Sequence, residues 1–127
     1  MTTLLIAVPT VGDLGLTDKV SNVFSRAETF TILEVEGKEI QGVTVEKNTA
    51  SALKQGAGPL AIKILNDKGV DIVLCPELGP GAKTMLDAFG IKTIRVESGI
   101  KVSDALKDAL ENLALRINIT SKNHYFL

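Results

Sequence analysis

The stretch KGVDIVLCPELGPGA, residues 68–82, decides the fold class, because it joins a helix end, a short strand and the start of another helix. Gly69 is a typical stop for the helical pattern that precedes it. Residues 71–74 predict a strand, and Pro80 suits the first turn of the helix that follows. A helix–strand–helix order of this kind is typical of α/β domains with parallel strands.

The same alternation continues on both sides of this stretch. Residues 92–96 predict another strand, and apolar residues at helical spacing predict helices over about 58–68, 79–89 and 103–115. Ser103 is a good N-cap for the last of these helices. Strands that are separated by helices pair in parallel through right-handed crossovers, so we expect residues 71–74 and 92–96 to be neighbours of this kind.

The first half of the chain predicts antiparallel strands instead. Residues 4–8 form a continuous apolar run, as expected of a central strand that is covered on both faces. Residues 30–35 and 40–46 predict a hairpin around a tight turn. Together the two halves predict a five-stranded mixed sheet with helices on both faces. The acidic residues outside these elements are expected to be solvated loop charges: Asp13, Asp18, Glu28 and Glu77.

Composition excludes several classes of protein. Hydrophobic residues make up 45% and charged residues 23% of the chain, values that are ordinary for a globular domain. The 14 basic and 15 acidic side chains give a formal net charge of −1, which argues against a nucleic-acid partner. No apolar run is long enough for a membrane span, and the single cysteine excludes an internal disulfide. We therefore expect a cytoplasmic protein.

A length of 127 residues suits one domain, which we expect to occupy residues 1–117. Residues 118–127 are then a C-terminal tail, first polar and then aromatic. His124, the only histidine, lies in this tail and is more typical of a surface residue than of a metal ligand. The aromatic end of the tail is a candidate contact for a homodimer.

Ligands of open α/β sheets bind outside the carboxyl ends of the strands. Three segments of this chain are predicted to meet there: the end of the first strand, the start of the first helix, and the connection between the fourth strand and the second helix. The predicted ligand-binding residues are Thr10, Gly12, Lys54, Gln55, Gly56, Gly58, Cys75, Gly79, Gly81 and Ala82.

Two features of this edge carry chemistry. Two helices begin with Gly-Pro, and the unpaired N–H groups of a helix start, surrounded by small residues, bind anions. Cys75 as a thiolate could ligate a soft metal or cluster, with its pKa lowered by the nearby helix start. The structural alternatives stay open: Gly-Pro starts helices well, and a lone cysteine is often a small buried apolar residue. The chain contains no phosphate-binding P-loop and no G-x-G-x-x-G fingerprint.

A family resemblance adds to this interpretation. Residues 18–30, DKVSNVFSRAETF, resemble the S-x-x-F-G-R-A-x-x-F stretch of the dinitrogenase iron–molybdenum cofactor biosynthesis family, with Ser25 in place of the usual glycine. Residues 56–61 and 68–74 are similar to its Gly-rich helix start and GVDVVI strand. LGPGA at 78–82 and FGIK at 89–92 are similar to its IGPNA turn and to the AGIKV sequence that leads into the next strand. The matches keep their order over roughly residues 3–110.

The resemblance implies a ribonuclease-H-like three-layer fold with strand order 3-2-1-4-5 and the second strand antiparallel. It also implies a protein that binds or carries the iron–molybdenum cofactor, its precursors or a related metal–sulfur cluster. Relatives often have a histidine just before the Gly-rich helix start, where this chain has Lys54 and Gln55. Cys75, or Lys54 together with backbone N–H groups, would then take the place of that ligand.

The leading hypothesis is thus a non-catalytic binding or carrier protein for a metal cluster or small anion, with a second copy or a cofactor-assembly protein as partner. One alternative is a small enzyme or sensor acting on an anionic or phosphorylated metabolite at the same edge. Such an enzyme needs a general base, for which the predicted edge offers Glu77. The other alternative is an interaction protein that binds no ligand.

Overall fold

The computed structural model describes residues 3–112. The predicted tail 118–127, with His124, and the last residues of the predicted third helix lie outside this part of the chain. The strands are β1 (Thr3–Thr10), β2 (Thr29–Glu36), β3 (Glu39–Lys47), β4 (Ile72–Cys75) and β5 (Lys92–Arg95). The helices are α1 (Ala57–Asp67), α2 (Pro80–Ala88) and α3, which covers residues 102–112 of the described chain. Short 3₁₀ turns occupy Gly15–Thr17 and Thr49–Ala52.

The five strands form one mixed sheet in the order β3-β2-β1-β4-β5. β1 pairs with β2 antiparallel and with β4 in parallel, β2 pairs with β3 antiparallel, and β4 pairs with β5 in parallel. The predicted strand order and the antiparallel second strand are therefore confirmed. β1 lies at the centre of the sheet, which is why residues 6–10 are all buried.

Successive side chains of the central strand pack into two separate hydrophobic cores, one on each face of the sheet. Ile6 and Val8 face α3 on one side, and Ala7 faces α1 and α2 on the other, because successive side chains of a strand point to opposite faces. Helices thus cover both faces of the sheet, as the sequence predicts. We call the two layers the α3 core and the α1–α2 core. Among residues 3–112, no helix is long and apolar enough to cross a membrane.

The turn after α1 brings the chain back to the central strand. Gly69 adopts a left-handed conformation with φ of 78°, which favours glycine, and its amide donates to the carbonyl of Asn66 over 3.0 Å. Asp71 then makes two hydrogen bonds with Leu5 of β1. Its amide donates to the Leu5 carbonyl, and its carboxylate accepts a hydrogen bond from the Leu5 amide, both over 2.9 Å. The parallel pairing of β1 with β4 begins from this contact.

Two local predictions are wrong. α3 begins at residue 102, and the amides of Asp104 and Ala105 donate to the carbonyl of Lys101, so Ser103 lies inside the helix and does not cap it. Asp18 is only 2% exposed and is not a solvated loop charge. Its carboxylate is surrounded by backbone N–H groups of its own loop, which compensate for the cost of burial.

Candidate functional site

The long loop after β1 is held in place by the buried carboxylate of Asp18. One carboxylate oxygen accepts the amides of Gly12 and Leu14 over 3.0 and 3.2 Å, and the other accepts the amide of Lys19 over 2.8 Å. Carboxylates that accept several backbone N–H groups form strong, charge-assisted hydrogen bonds. The N–H group of Gly12, which the sequence assigned to the ligand, is therefore used within the loop.

Thr10 does not line a ligand site, contrary to the sequence-based prediction. It is fully buried, and its hydroxyl lies 2.6 Å from the hydroxyl of Thr29 and 3.0 Å from that of Thr31. Thr29 in turn donates to the carbonyl of Gly12. The three hydroxyls satisfy one another at the end of the β1–β2 pair, so Thr10 has a structural role at this edge.

Asn48 joins the loop before β2 to the connection after β3. Its side chain is fully buried, and its amide nitrogen donates to the carbonyls of Ser25 and Ala27 over 2.9 and 2.8 Å. Its amide oxygen accepts the backbone N–H of Ala50 over 3.1 Å. Residues 22–28, here called the first loop, are thereby fixed to residues 48–56, the second loop.

Arg26 makes the reciprocal connection from the first loop. Its Nη1 donates to the carbonyls of Ser51, over 3.4 Å, and of Leu53, and its Nη2 donates to the carbonyl of Lys54 over 3.2 Å. These contacts hold the backbone just before Gly56, whose φ of 77° turns the chain into α1. Two loops that are distant in sequence thus form one structural unit.

The first loop and the start of α2 line a shallow, open cavity of about 350 Å³, here called the Arg26 hollow. In the described part of the chain no side chain caps the start of α2, and Pro80 has no N–H, so the amides of Gly81 and Ala82 remain as donors of the first turn. Gly79 has open space on the side where a Cβ would lie. The residues that line the hollow are Asn22, Val23, Phe24, Ser25, Arg26, Glu77, Leu78, Gly79 and Ala82.

A second cavity of about 310 Å³, here called the Cys75 hollow, lies on the other side of Glu77 and Leu78. It contains two basic side chains, Lys83 and Arg95, and both are exposed. Lys83 is also 3.4 Å from the carboxylate of Asp87. Among residues 3–112, the cavity is lined by Cys75, Pro76, Glu77, Leu78, Lys83, Thr93, Ile94 and Arg95.

The predicted lowering of the Cys75 pKa is wrong. The residue is 2% exposed and packs in the α1–α2 core with Val73, Leu86 and Ile91. Burial disfavours the thiolate and raises the pKa of Cys75 to about 12. A neutral thiol in an apolar core is a poor metal ligand. Among residues 3–112, no group of three or more His, Cys, Asp or Glu side chains could hold a metal ion.

The remaining predicted site residues do not all lie at one site. Gly79 and Ala82 line the Arg26 hollow. Gly58 lies beneath it, where an added Cβ would be 3.5 Å from the Ser25 hydroxyl. The other five are exposed or half-buried and line neither hollow: Gly12, Lys54, Gln55, Gly56 and Gly81. The carbonyl of Lys54 accepts a hydrogen bond from Arg26.

Sequence reasoning missed Arg26 and Asn48 as site residues. Arg26 lies in the stretch of residues 18–30 that resembles the family motif. That stretch indicated the family, but it did not predict a role for the arginine. A basic residue flanked by the small residues Ser25 and Ala27 in a loop at the ligand-binding edge was a usable signal. Nothing in the local sequence marked Asn48, because its partners lie at least 21 residues away in the first loop.

Comparison with known proteins supports a common family. The family described as dinitrogenase iron-molybdenum cofactor matches residues 3–112. An uncharacterized protein from Methanocaldococcus jannaschii is 27% identical over 94 residues, which are 74% of this chain and 79% of that protein.

Two solved structures are similar in both sequence and fold. The apo form of the orange protein from Desulfovibrio gigas is 29% identical, with a TM-score of 0.77 over 85% of this chain and 88% of that one. A Thermotoga protein described as a proposed NifB protein is 35% identical, with a TM-score of 0.70 over the same shares of the two chains, 85% and 88%.

Proposed function

The chain belongs to the dinitrogenase iron–molybdenum cofactor family, and from that premise we propose that it is a non-catalytic binding or carrier protein. Its cargo is a metal–sulfur cluster of the iron–molybdenum cofactor or precursor type, or a related anionic metal species. The cargo binds at the carboxyl edge of the sheet, in the Arg26 hollow.

The proposal is supported by one observation: three features that favour an anion occur together in the Arg26 hollow. The Arg26 hollow combines an open volume of about 350 Å³, a guanidinium group and the uncapped start of α2. Guanidinium groups and first-turn N–H groups both favour negative charge. Metal–sulfur clusters and oxyanions of molybdenum are anionic species of this kind.

The donor set favours a cargo that is held without coordination by protein side chains. Cys75 is buried and neutral, and the position of the histidine in relatives is occupied by Lys54 and Gln55. Backbone N–H groups, Arg26 and the half-buried Ser25 hydroxyl remain to hold the ligands of the cluster. Such binding is reversible, which suits a carrier better than a resident cofactor site.

Two relatives agree with this proposal. The orange protein of Desulfovibrio gigas is described in an apo form. The Thermotoga protein is described as a proposed NifB protein. The ribonuclease-H-like assignment, the cytoplasmic location and the cofactor-assembly partner stay predictions alongside the carrier role.

A second candidate function is an enzyme or sensor for a small phosphorylated metabolite in the same hollow. It is favoured by one observation: Glu77 lines both hollows and is exposed, so its carboxylate could act as a general base there. The carrier remains the main proposal because Glu77 is the one carboxylate among the residues of 3–112 that line the hollow, and a single carboxylate gives no complete catalytic arrangement.

Metal retention tests the carrier role directly. The protein would be purified without oxygen, incubated with iron, sulfide and molybdate, and passed through gel filtration before its metal and sulfide content is measured by mass spectrometry. We expect metal to co-elute with the protein at a constant ratio per chain, accompanied by a charge-transfer absorption band. Loss of all metal on the column, with the protein still folded, would contradict the proposal.

A further inference from the structure

Arg26 uses only part of its hydrogen-bonding capacity to hold the second loop. A guanidinium group has five N–H donors: two on Nη1, two on Nη2 and one on Nε. Within residues 3–112, Nη1 donates to the carbonyls of Ser51 and Leu53, and Nη2 donates once, to the carbonyl of Lys54. The Nε–H and one of the two Nη2–H groups therefore donate no hydrogen bond within this part of the chain.

In a guanidinium group the Nε–H and the neighbouring Nη2–H form one edge, on which the two N–H bonds are nearly parallel. This is the edge with which arginine binds carboxylate and phosphate groups through two parallel hydrogen bonds. Arg26 is exposed and lines the hollow, so solvent and ligands have access to its side chain.

We propose that Arg26 is the side chain that selects the ligand of this hollow, and that the ligand presents two oxygen atoms side by side. Its chemical class is an oxyanion, such as a tetrahedral phosphate or molybdate group or a carboxylate. This inference rests on the proposed function for the location of the site, but not for the nature of the cargo. A monatomic anion lacks the second acceptor and is bound more weakly.

The contacts to the second loop make the arginine a better anion-binding group. A mobile side chain loses conformational freedom when it binds a ligand, and this loss weakens binding. The three carbonyl groups already restrict the Arg26 guanidinium, and Asn48 fixes the backbone of the first loop beside it. The side chain therefore reaches the ligand with little further ordering.

The charge around the hollow sets the strength of this binding. Among the residues that line the hollow, Arg26 is positive and Glu77 is negative, so their charges offset each other. The net field is therefore weak, and recognition depends on the geometry of the Arg26 donors more than on long-range attraction. This explains why the shape of the ligand, with two adjacent oxygens, matters at this site.

Nuclear magnetic resonance on the full chain tests the inference. Sodium molybdate, phosphate, acetate and chloride would be added separately at constant ionic strength, and the Arg26 Nε–H resonance would be followed. We expect a saturable shift with at least one of the three oxyanions and none with chloride. The response to molybdate and phosphate, compared with that to acetate, distinguishes the tetrahedral from the planar source.

The matched variants are Arg26→Lys and Arg95→Lys, because Arg95 is an exposed arginine in the Cys75 hollow. Arg26→Lys keeps the charge but removes the paired donors, and we expect the affinity for the bound oxyanion to fall roughly tenfold to hundredfold. Arg95→Lys should leave the affinity unchanged. An Nε–H resonance that stays fixed with all three oxyanions, in the wild-type protein, overturns the inference without any variant.

The two proposals fail separately. If the protein retains a metal cluster while the Arg26 Nε–H resonance stays fixed, Arg26 does not select the ligand and the carrier role stands. If oxyanions shift the resonance but no metal is retained on gel filtration, the carrier role is wrong and the assignment of Arg26 stands.

Discussion

Arg26 and Asn48 hold the same two loops together, and each side chain reaches from its own loop to the backbone of the other loop. Asn48 reaches from the second loop to the carbonyls of Ser25 and Ala27, and Arg26 reaches from the first loop to the carbonyls of residues 51, 53 and 54. One side chain is fully buried and the other is exposed. The wall of the Arg26 hollow is therefore anchored by Asn48, while Arg26 is left accessible to a ligand.

Asn48→Ala should destabilise the protein strongly. The substitution leaves the carbonyls of Ser25 and Ala27 and the amide of Ala50 without their buried partner, which should lower the free energy of unfolding by about 3 kcal/mol. Urea unfolding followed by circular dichroism measures this loss. Asn66→Ala, at an exposed position of α1, is the matched control and should change the stability by less than about 0.5 kcal/mol. Equal stabilities would show that Asn48 does not anchor the loops.

Substitutions at Gly79 should separate folding from cargo binding. Gly79→Asp places a side-chain cap at the start of α2, where no side chain caps it and where a Cβ meets open space. The helix should gain a few tenths of a kcal/mol, while the carboxylate occupies the first-turn N–H groups and repels an anion. Metal retention on gel filtration should therefore fall although the protein unfolds at a slightly higher temperature.

Gly79→Ala is the control for this change, because it alters the same backbone position without adding a carboxylate. It should retain metal as the wild-type protein does. If Gly79→Asp also retains metal at the wild-type level, the first turn of α2 is not part of the cargo site.

Glu77→Gln should strengthen the binding of anions in the Arg26 hollow. It removes the negative side chain that lines the same hollow as Arg26, and we expect the dissociation constant for the bound oxyanion to fall roughly threefold to tenfold at low salt. Calorimetric titration at two salt concentrations checks this, since the gain should shrink as salt rises. Glu39→Gln, in the hairpin at the opposite edge of the sheet, should have no effect. Weaker binding by Glu77→Gln would instead indicate that the carboxylate contacts the ligand directly.

Cys75 should react slowly with thiol reagents in the folded protein. Burial raises its pKa to about 12, so the thiolate that reacts is scarce at pH 8, and the residue is 2% exposed. Alkylation by iodoacetamide should proceed at the rate of unfolding and become fast in urea. Rapid alkylation under native conditions would contradict the buried position. Cys75→Ser should leave metal retention unchanged.

The same pKa shift makes stability depend on pH. The folded-state pKa of Cys75 lies above the ordinary thiol value of 9.0, so between pH 9 and about 12 the unfolded chain binds fewer protons than the folded protein. The contribution of the neutral thiol is fully present below pH 9 and declines as the pH rises, by at most about 1.4 kcal/mol per pH unit. Urea unfolding at several pH values, compared with Cys75→Ala, should show this decline only in the wild-type protein.

The sequence predicted the strands and helices well, but it predicted the roles of single polar residues poorly. Apolar runs and turn residues predicted β1 to β5, and apolar residues at helical spacing predicted α1 and α2. All of these predictions lie within about two residues of the observed ends, because each element buries one or two of its own faces. Asp18 and Thr10 were assigned wrongly because hydrogen-bond partners decide whether a polar side chain is buried, and those partners come from other parts of the chain.

The amino-acid sequence by itself determined the order of strands and helices, the position of the turns at Gly69 and Pro80, and the membership of the family. The elements and turns depend on local periodicity and on backbone preferences of single residues, and the family membership depends on motifs that keep their order along the chain. Only the tertiary structure decided that Arg26 lies against residues 51–54, that Asn48 lies against residues 25–27, and that Cys75 faces a closed core. The loop-to-loop contacts of Arg26 and Asn48 join residues more than 20 positions apart. All of these contacts form only once the sheet and helices have packed together.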